Sequence, residues 1–320
     1  MQGEELNTAL SKLLDGARID GLRRLSGGAS RETWSFTAAA DDGESRRLIL
    51  RRDPPGAPRG MALEARLLTS ALKGGVPVPP IVTSSDDPTV LGSAFIVMDH
   101  IDGETIARRI LRDDEFAEAR PKLAGQCGEV LARLHSVHPD EIEGLAGEDP
   151  VGQYRAVLDA SGEPHPTFEL AFKWLEGNRP PTTAEAVVHG DFRHGNLIIG
   201  PDGLRAVLDW ELGHSGDPME DNGWLCAKAW RFGAAPPVGE FGTYDQLIEG
   251  YESAGGRPVD RAALRWWETL GVLKWGIMCI MQRTAHTSGM VRSVELAAIG
   301  RRVCENEWDL LNMLRTGTSA

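Results

Sequence analysis

The sequence contains only four cysteines in 320 residues, and no two of them are close together. They are Cys127, Cys226, Cys279 and Cys304, which form no C-x-x-C pair. This spacing argues against a structural zinc site and against a disulfide framework. A reducing cytoplasm is the compartment that fits such a sequence best.

Long apolar runs are also missing. No stretch approaches the ~20 apolar residues that a membrane-spanning helix needs. The N-terminal stretch, MQGEELNTALSKLLDG, is acidic and mildly amphipathic, and it shows no signal-peptide pattern. We therefore expect a cytoplasmic protein that has no membrane partner.

Basic residues are the minority among the charged ones. The chain has 34 Lys and Arg against 47 Asp and Glu, which gives a net charge of −13. A nucleic-acid partner would require a basic face, so nucleic-acid binding is disfavoured. An acidic surface could steer cationic substrates, but it serves solubility more often, and the sign of the charge does not choose a substrate.

One stretch, residues 187–221, carries most of the chemical information. It reads VVHGDFRHGNLIIGPDGLRAVLDWELGHSGDPMED. Asp191 follows an apolar dipeptide and His-Gly, and Asn196 comes five positions later. Two apolar runs are separated by an Asp-Gly turn at 202–203, and the second run leads to Asp209. This pattern predicts a loop with Asp191 and Asn196, and a hairpin that delivers Asp209.

The same spacing builds the phosphoryl-transfer centre of protein kinases. There, one Asp accepts the proton of the attacking hydroxyl, which predicts Asp191 as the catalytic base. The Asn and the second Asp hold magnesium against the ATP phosphates, which predicts Asn196 and Asp209 as Mg²⁺ ligands. Amide and carboxylate oxygens are the ligands that Mg²⁺ prefers.

The H-G-D-x-x-x-x-N signature with the following L-D-W resembles the aminoglycoside phosphotransferase and choline kinase-like family over about residues 20–225. Within it, the chain is most similar to the broad phosphotransferase enzyme branch, which includes kinase-like domains related to acyl-CoA dehydrogenase fusions. The resemblance implies an α+β, two-lobed protein-kinase-like fold. We expect a small antiparallel β N-lobe over 1–98, a hinge over 99–103 and a mainly helical C-lobe over 104–320.

In the N-lobe, the resemblance implies that the loop with Gly27, Gly28 and Ser30 covers the ATP phosphates with its backbone N–H groups. The loop is not a G-x-G-x-x-G motif, and taken alone it predicts a hairpin turn equally well. Arg51 stands where protein kinases place a Lys, although Arg52 follows directly. We favour Arg51, which continues the strand register, and predict Glu64 on the next helix as its partner.

Nucleotide recognition at the hinge is expected to use the backbone of Asp99, His100 and Ile101. The expected donor is ATP, and GTP is not excluded because recognition at the hinge uses the backbone. The partner would be a small molecule with a hydroxyl group, and aminoglycosides, choline-like amines, sugars and hydroxyacyl thioesters all remain open. Glu211 and His214 are candidates to face this acceptor. The sequence does not indicate an oligomeric state.

Two other functions need to be weighed. The chain could be a nucleotide-binding module without transfer activity, although every catalytic position is filled. Alternatively, His189, Asp191 and His194 could hold a transition metal in a hydrolase. That reading explains neither Asn196 nor the hairpin. We instead expect His189 to bond the backbone near Asp209.

Outside the motifs, the pattern predicts one long amphipathic helix over 116–137 and a loop-rich region over 140–166. Further helices are expected over 243–254, 260–286 and 291–315. The helix from 260 has large apolar residues on several faces, which indicates a buried helix, and we assign no chemistry to it. Asp217 is expected to cap the helix that follows it.

Overall fold

The computed structural model describes residues 3–25, 31–40, 42–54, 60–147, 149–181 and 185–316. The phosphate loop predicted around Gly27, Gly28 and Ser30 lies outside the described residues. The first part of the chain forms an antiparallel sheet in the order β1-β2-β3-β5-β4. Its strands are β1 (Arg18–Arg24), β2 (Glu32–Ala39), β3 (Ser45–Arg52), β4 (Ile81–Ser85) and β5 (Phe95–Asp99).

Three helices accompany this sheet: α1 (Glu4–Leu13), α2 (Ala62–Lys73) and the short α3 (Pro88–Leu91). Strand residues alternate between the two faces, as the two-residue period of a strand requires. Phe95 and Val97 of β5 pack in the cluster that contains α1, whereas Ile96 and Met98 pack in the cluster that contains α2. The α2 cluster continues into the rest of the molecule, so the α2 face of the sheet is the face that meets the C-lobe.

The C-lobe is mainly helical. Its helices are α4 (Ala107–Arg112), α5 (Leu123–His135), α6 (Pro150–Ser161), α7 (Pro166–Gly177), α8 (Met219–Cys226), α9 (Tyr244–Ser253), α10 (Arg261–Thr287), α11 (Val294–Gly300) and α12 (Val303–Thr316). Its strands are β6 (Ala186–Val188), β7 (Leu197–Gly200), β8 (Gly203–Val207) and β9 (His214–Gly216). β7 and β8 form the predicted hairpin, and β6 pairs with β9 beside it. The two-lobed α+β fold expected from the motifs is confirmed.

The helix predicted over 116–137 is wrong in its first part. Two short 3-10 turns, Asp114–Phe116 and Arg120–Lys122, precede α5, which begins only at Leu123. Pro121 explains the difference, because it lacks a backbone N–H and disfavours the α conformation of the residue before it. The apolar periodicity continues across the break, and that periodicity was the signal for a single helix.

Two other predictions also need correction, and one strand is an addition to them. The region 140–166 contains α6, which begins at Pro150 with the Asp149 side chain accepting the Gly152 N–H at 3.3 Å. Edge strand β4 was not predicted. The helix expected over 291–315 is interrupted after Gly300. Among the described residues, no helix is both long enough and apolar enough to cross a bilayer.

Helices α5 and α9 cross very closely, and glycines make this possible. A Cβ on Gly128 of α5 would lie 2.2 Å from the Leu247 carbonyl oxygen, and one on Gly250 of α9 would lie 2.2 Å from the Gly125 carbonyl oxygen. Both obstacles are backbone atoms, which cannot move aside as a flexible side chain can. The crossing brings His135 Nδ1, at the end of α5, to 3.1 Å from the hydroxyl oxygen of Tyr251 on α9.

We predict that Gly128→Ala lowers the free energy of unfolding by about 1–3 kcal/mol, because the added methyl group forces the two helices apart. Urea unfolding followed by circular dichroism would measure the change. Gly177→Ala is the matched control, since a Cβ there meets nothing within 4 Å. A Gly128→Ala protein as stable as the control would contradict the close crossing.

Candidate active site

The loop between β6 and β7 holds Asp191 in a network of side-chain donors. Asn196 Nδ2 donates to the Asp191 carbonyl at 2.9 Å and to its Oδ2 at 2.7 Å. Trp224 Nε1 donates to Asp191 Oδ1 at 2.8 Å, and Arg193 Nε donates to the same oxygen at 3.0 Å. The carboxylate is therefore held in one orientation, at a position where its side chain is 17% exposed.

A buried carboxylate shapes this loop from behind. Asp221 is fully buried and accepts the backbone N–H groups of His189 at 2.8 Å and Gly190 at 2.9 Å. Its Oδ2 also lies 3.2 Å from His135 Nε2. Burial on its own raises the pKa of Asp221, but the hydrogen bond and charge of His135 and the backbone N–H donor of His189 hold the pKa below its ordinary value. The loop is therefore held in place by hydrogen bonds to an ionised carboxylate.

His189 has the structural role that the sequence predicted. Its Nε2 donates to the Leu208 carbonyl at 2.9 Å, and its Nδ1 accepts the Asp191 N–H at 3.1 Å. Gly190 between them has φ +77°, and a Cβ there would lie 2.5 Å from the Leu212 carbonyl oxygen. Glycine is therefore required at this position, both for its conformation and for its space.

Asp209 lies two residues beyond β8 in a left-handed conformation, with φ 67°. This conformation is uncommon for a residue other than glycine, and in native proteins such positions concentrate at functional sites. Its Oδ1 accepts a hydrogen bond from Arg51 Nη2 at 2.5 Å, so the hairpin of the C-lobe is tied to β3 of the N-lobe.

The alternation of β3 separates its two arginines. Arg51 faces α2 and donates through Nη1 to Glu64 Oε1 at 2.5 Å, which is the ion pair predicted from the sequence. Arg52 lies on the opposite face, where its Nε donates to Glu32 Oε2 at 2.7 Å and its Nη1 donates to the Leu91 carbonyl at 3.1 Å. Of the two arginines, Arg51 is the one that faces the cleft between the lobes.

Two of the three backbone N–H groups at the hinge already donate hydrogen bonds within the protein. The Asp99 N–H donates to the Pro80 carbonyl at 2.9 Å, and the His100 N–H donates to the Arg47 carbonyl at 3.0 Å. These donors are used within the sheet and are not free for an adenine ring. Within the described ranges, the Ile101 N–H makes no such bond. Of these three N–H groups, that of Ile101 is the one left for a nucleotide, and recognition through the backbone carbonyls of Asp99 to Ile101 stays a prediction.

Asn196 and Asp209 retain the oxygens that a magnesium ion needs. Because the Asn196 amide nitrogen donates to Asp191, its oxygen is turned to the other side. Neither Asn196 Oδ1 nor Asp209 Oδ2 accepts a hydrogen bond from another part of the described chain. One amide oxygen and one carboxylate oxygen are a donor set suited to Mg²⁺ with water and phosphate oxygens as further ligands.

The geometry does not support the hypothesis that His189, Asp191 and His194 hold a transition metal in a hydrolase. Both ring nitrogens of His189 are engaged, and His194 is buried with its Nδ1 3.1 Å from the Gly239 carbonyl oxygen. Burial lowers the pKa of His194 to about 4. Among the described residues, no group of three or more His, Cys, Asp and Glu side chains is arranged to hold a metal ion.

Comparison with known proteins agrees with this arrangement. The sequence profile of the phosphotransferase enzyme family matches residues 21–267, which is more than half of the chain. The chain belongs to the phosphotransferase enzyme family. The resemblance stated from the motifs is therefore confirmed.

Part of the chain is also similar in sequence to a much longer protein. Acyl-CoA dehydrogenase family member 10 of Mus musculus is 30% identical over 202 residues, which cover 57% of this chain and 18% of the mouse protein. The chain thus spans about a fifth of the length of that curated relative.

Solved structures share the fold. A protein from Ralstonia eutropha JMP134, assigned as an aminoglycoside phosphotransferase, has a TM-score of 0.74 at 22% identity and covers 95% of this chain and 97% of its own. A spectinomycin phosphotransferase, solved in complex with ADP and spectinomycin, has a TM-score of 0.65 at 14% identity and covers 97% of this chain and 98% of its own. At these identities the likeness concerns the fold.

Several residues at the site were not predicted from the sequence. Arg31 is 8% exposed and contacts Glu64, and its Nε lies 3.1 Å from Asp53 Oδ1. Burial and the charge of Arg51 lower the pKa of Arg31. Its position directly after the glycine-bearing loop was the available signal. Trp224 and Arg193 were also missed, because neither belongs to the spacing that identifies the family.

His214 was a candidate to face the acceptor, but the structure buries it. Its Nε2 lies 3.1 Å from Glu220 Oε2, and its Nδ1 lies 2.9 Å from the Leu212 carbonyl oxygen. Burial alone lowers the pKa of His214, but the hydrogen bond to Glu220 and the Glu220 charge raise it to about 9. The pair supports the Asp209 loop from within the C-lobe. Glu211 stays partly exposed, 3.8 Å from Arg31 Nε.

The raised pKa of His214 predicts a pH dependence of stability. Protonated His214 stabilises the fold fully below the ordinary pKa of 6.5, and this stabilisation is lost as the pH rises through about 9. The shift corresponds to roughly 3 kcal/mol. We predict that His214→Gln removes most of the fall in the free energy of unfolding between these two pH values. Urea unfolding at both pH values would test this, and an equal fall in both proteins would contradict it.

Proposed function

We propose that the protein is an ATP-dependent kinase that phosphorylates a hydroxyl group of a small molecule. The observation that carries this proposal is the position of Arg51 between Glu64 and Asp209, each at 2.5 Å. Protein kinases use the same constellation, in which a strand cation, a helix glutamate and a metal-binding aspartate converge on the nucleotide phosphates. Membership of the phosphotransferase enzyme family supports the same reaction.

In this mechanism Asp191 accepts a hydrogen bond from the acceptor hydroxyl and aims its oxygen at the terminal phosphate. Positioning matters more than early proton removal, because phosphoryl transfer has a loose transition state. As the new O–P bond forms, the bond from the terminal phosphorus to the β–γ bridging oxygen breaks and ADP leaves, while Asp191 takes the proton of the hydroxyl group. Arg193, whose Nε lies 3.0 Å from Asp191, supplies a cation beside the transferred group.

Asn196 and Asp209 would hold Mg²⁺, which when bound neutralises charge on the phosphate oxygens. Arg51 would direct its planar fork at the same oxygens, and Glu64 would keep the fork aimed. The Arg51–Asp209 contact then has a clear role. It satisfies both charges in the free enzyme, and the nucleotide and its metal offer each of them a new partner of opposite charge.

The acceptor remains the open part of this proposal. The spectinomycin phosphotransferase was solved with spectinomycin and ADP bound, whereas the mouse relative is named for acyl-CoA dehydrogenation. Both amine-bearing and hydroxyacyl acceptors therefore need to be tested, with choline-like amines and sugars beside them. At the hinge, recognition through the Ile101 N–H would leave GTP as a second possible donor.

We predict that Asp191→Ala lowers acceptor-stimulated, magnesium-dependent ATP turnover by about 10²–10⁴-fold, because the acceptor loses its base. The measurement is ADP release in the presence of amine, sugar and hydroxyacyl acceptors. Asp202→Ala, in the exposed turn of the same hairpin, is the matched control and should keep wild-type turnover. Nucleotide binding without turnover on every acceptor would instead favour a nucleotide-binding module.

The two neighbouring arginines give a second test. Arg51→Met should raise the KM for MgATP roughly tenfold to a hundredfold, because a charge-assisted contact with the phosphates is lost. Arg52→Met should instead lower the free energy of unfolding by about 3–5 kcal/mol, since it breaks a buried ion pair with Glu32. Steady-state kinetics and urea unfolding of both variants would separate the roles. The assignment fails if Arg52→Met changes the KM and Arg51→Met does not.

A further inference from the structure

A buried lysine lies directly behind the catalytic loop, and the mechanism above does not use it. Lys274 is in the middle of α10 and is 6% exposed. Its Nζ donates to the Gly190 carbonyl at 2.9 Å and lies 3.7 Å from Glu220 Oε1. Gly190 is the residue before Asp191, so the ammonium group touches the peptide that carries the catalytic aspartate.

The surroundings of Lys274 keep it charged. Burial alone lowers the pKa of Lys274, but Tyr154 and the carboxylates of Glu220, Asp191 and Asp221 together raise the pKa above its ordinary value. The ammonium also lies 4.4 Å from the ring centre of Trp224 and 5.7 Å from that of Tyr154, where it gains cation–π attraction. A buried charge with these partners is satisfied, and it fixes the groups around it.

Trp224 links this ammonium to the catalytic carboxylate. The indole receives Lys274 on its face and donates its Nε1–H to Asp191 Oδ1 at 2.8 Å. A cation over an aromatic ring draws electron density towards itself, which makes the indole N–H a stronger donor. Lys274 therefore acts on Asp191 through two routes, the Gly190 carbonyl and the Trp224 indole.

The same lysine also reaches the loop that carries Asp209. Glu220, beside Lys274, lies 3.1 Å from His214 Nε2, and His214 Nδ1 lies 2.9 Å from the Leu212 carbonyl oxygen. That carbonyl is the group packed against Gly190. A closed path of contacts thus joins the catalytic loop and the metal-binding loop through the interior of the C-lobe.

We propose that Lys274 is a positioning residue for phosphoryl transfer, which holds the Asp191 carboxylate in its reactive orientation through the Gly190 carbonyl and the Trp224 indole. The proposal rests on the kinase function given above. Without the ammonium, the carbonyl loses its donor and the indole loses the group that fixes its plane. A displacement of about 1 Å at a reacting group costs on the order of a hundredfold in rate.

The kinetic test compares Lys274→Met, which removes the charge at similar volume, with Lys274→Arg, which keeps it. Lys274→Met should lower kcat by about tenfold to a hundredfold. The KM for MgATP should stay within about twofold, because Arg51 and Glu64 are untouched. Lys274→Arg should recover part of the loss. The readout is magnesium-dependent ATP turnover, with water as the acceptor if the panel yields none.

A spectroscopic test is independent of turnover. The indole N–H resonance of Trp224 can be assigned in ¹⁵N-tryptophan-labelled protein from its absence in Trp224→Phe. In wild type it should lie downfield, as expected for an indole bonded to a carboxylate. In Lys274→Met it should move upfield, and in Lys274→Arg it should stay near the wild-type position. Thr269→Val, five residues earlier on α10 and with its hydroxyl donating to the Arg265 carbonyl of its own helix, is the control.

The outcomes separate the two proposals. An unmoved Trp224 resonance in folded Lys274→Met overturns the positioning role, whatever the turnover. A kcat equal to wild type in Trp224→Phe, which keeps the ring and removes the N–H, also overturns it, and this variant serves if Lys274→Met does not fold. No turnover in wild type, with the expected resonance shift, would overturn the kinase function while the contact itself stands.

Discussion

The active site depends on one buried carboxylate, Asp221, more than on any other group. It accepts two consecutive backbone N–H groups, those of His189 and Gly190, and it contacts His135 at the end of α5. Removal of this acceptor would leave two buried donors unsatisfied, which is costly. The conformation of the catalytic loop therefore depends on α8, which carries Asp221, and on the close crossing of α5 and α9 behind it.

A second constraint is electrostatic and lies between the lobes. Arg31 and Arg51 share Glu64, and each arginine reaches a further carboxylate, Asp53 or Asp209. All of these side chains except the partly exposed Asp209 are largely buried, and buried charges are tolerated only when they are paired. These ion pairs fix the positions of β3, α2 and the β7–β8 hairpin relative to one another. The same arginines and carboxylates could exchange one another for the phosphates and the magnesium ion of a bound nucleotide.

The sequence predicted contacts between residues that lie close together in the chain, and it did not predict contacts between residues that lie far apart. Asp191, Asn196 and Asp209 lie in one continuous stretch, so their spacing alone indicated their proximity. The Arg51–Glu64 pair followed from the resemblance to kinases, and strand alternation only favoured Arg51 over Arg52. Residues contributed from elsewhere gave no such signal. Lys274 lies 84 positions from Gly190, and its helix showed only the apolar pattern of a buried element. At the hinge, the sheet register decided which N–H groups were used.

The sequence by itself determined the family, the two-lobed fold and the order of the candidate catalytic groups, because short motifs and local periodicity encode them. The tertiary structure alone decided which polar groups meet. Pairing of Asp221 with the loop amides, of Arg31 with Glu64 and of Lys274 with Gly190 joins segments that are distant in the chain. Such contacts arise because buried polar groups must find partners wherever the packing of helices and strands happens to place them.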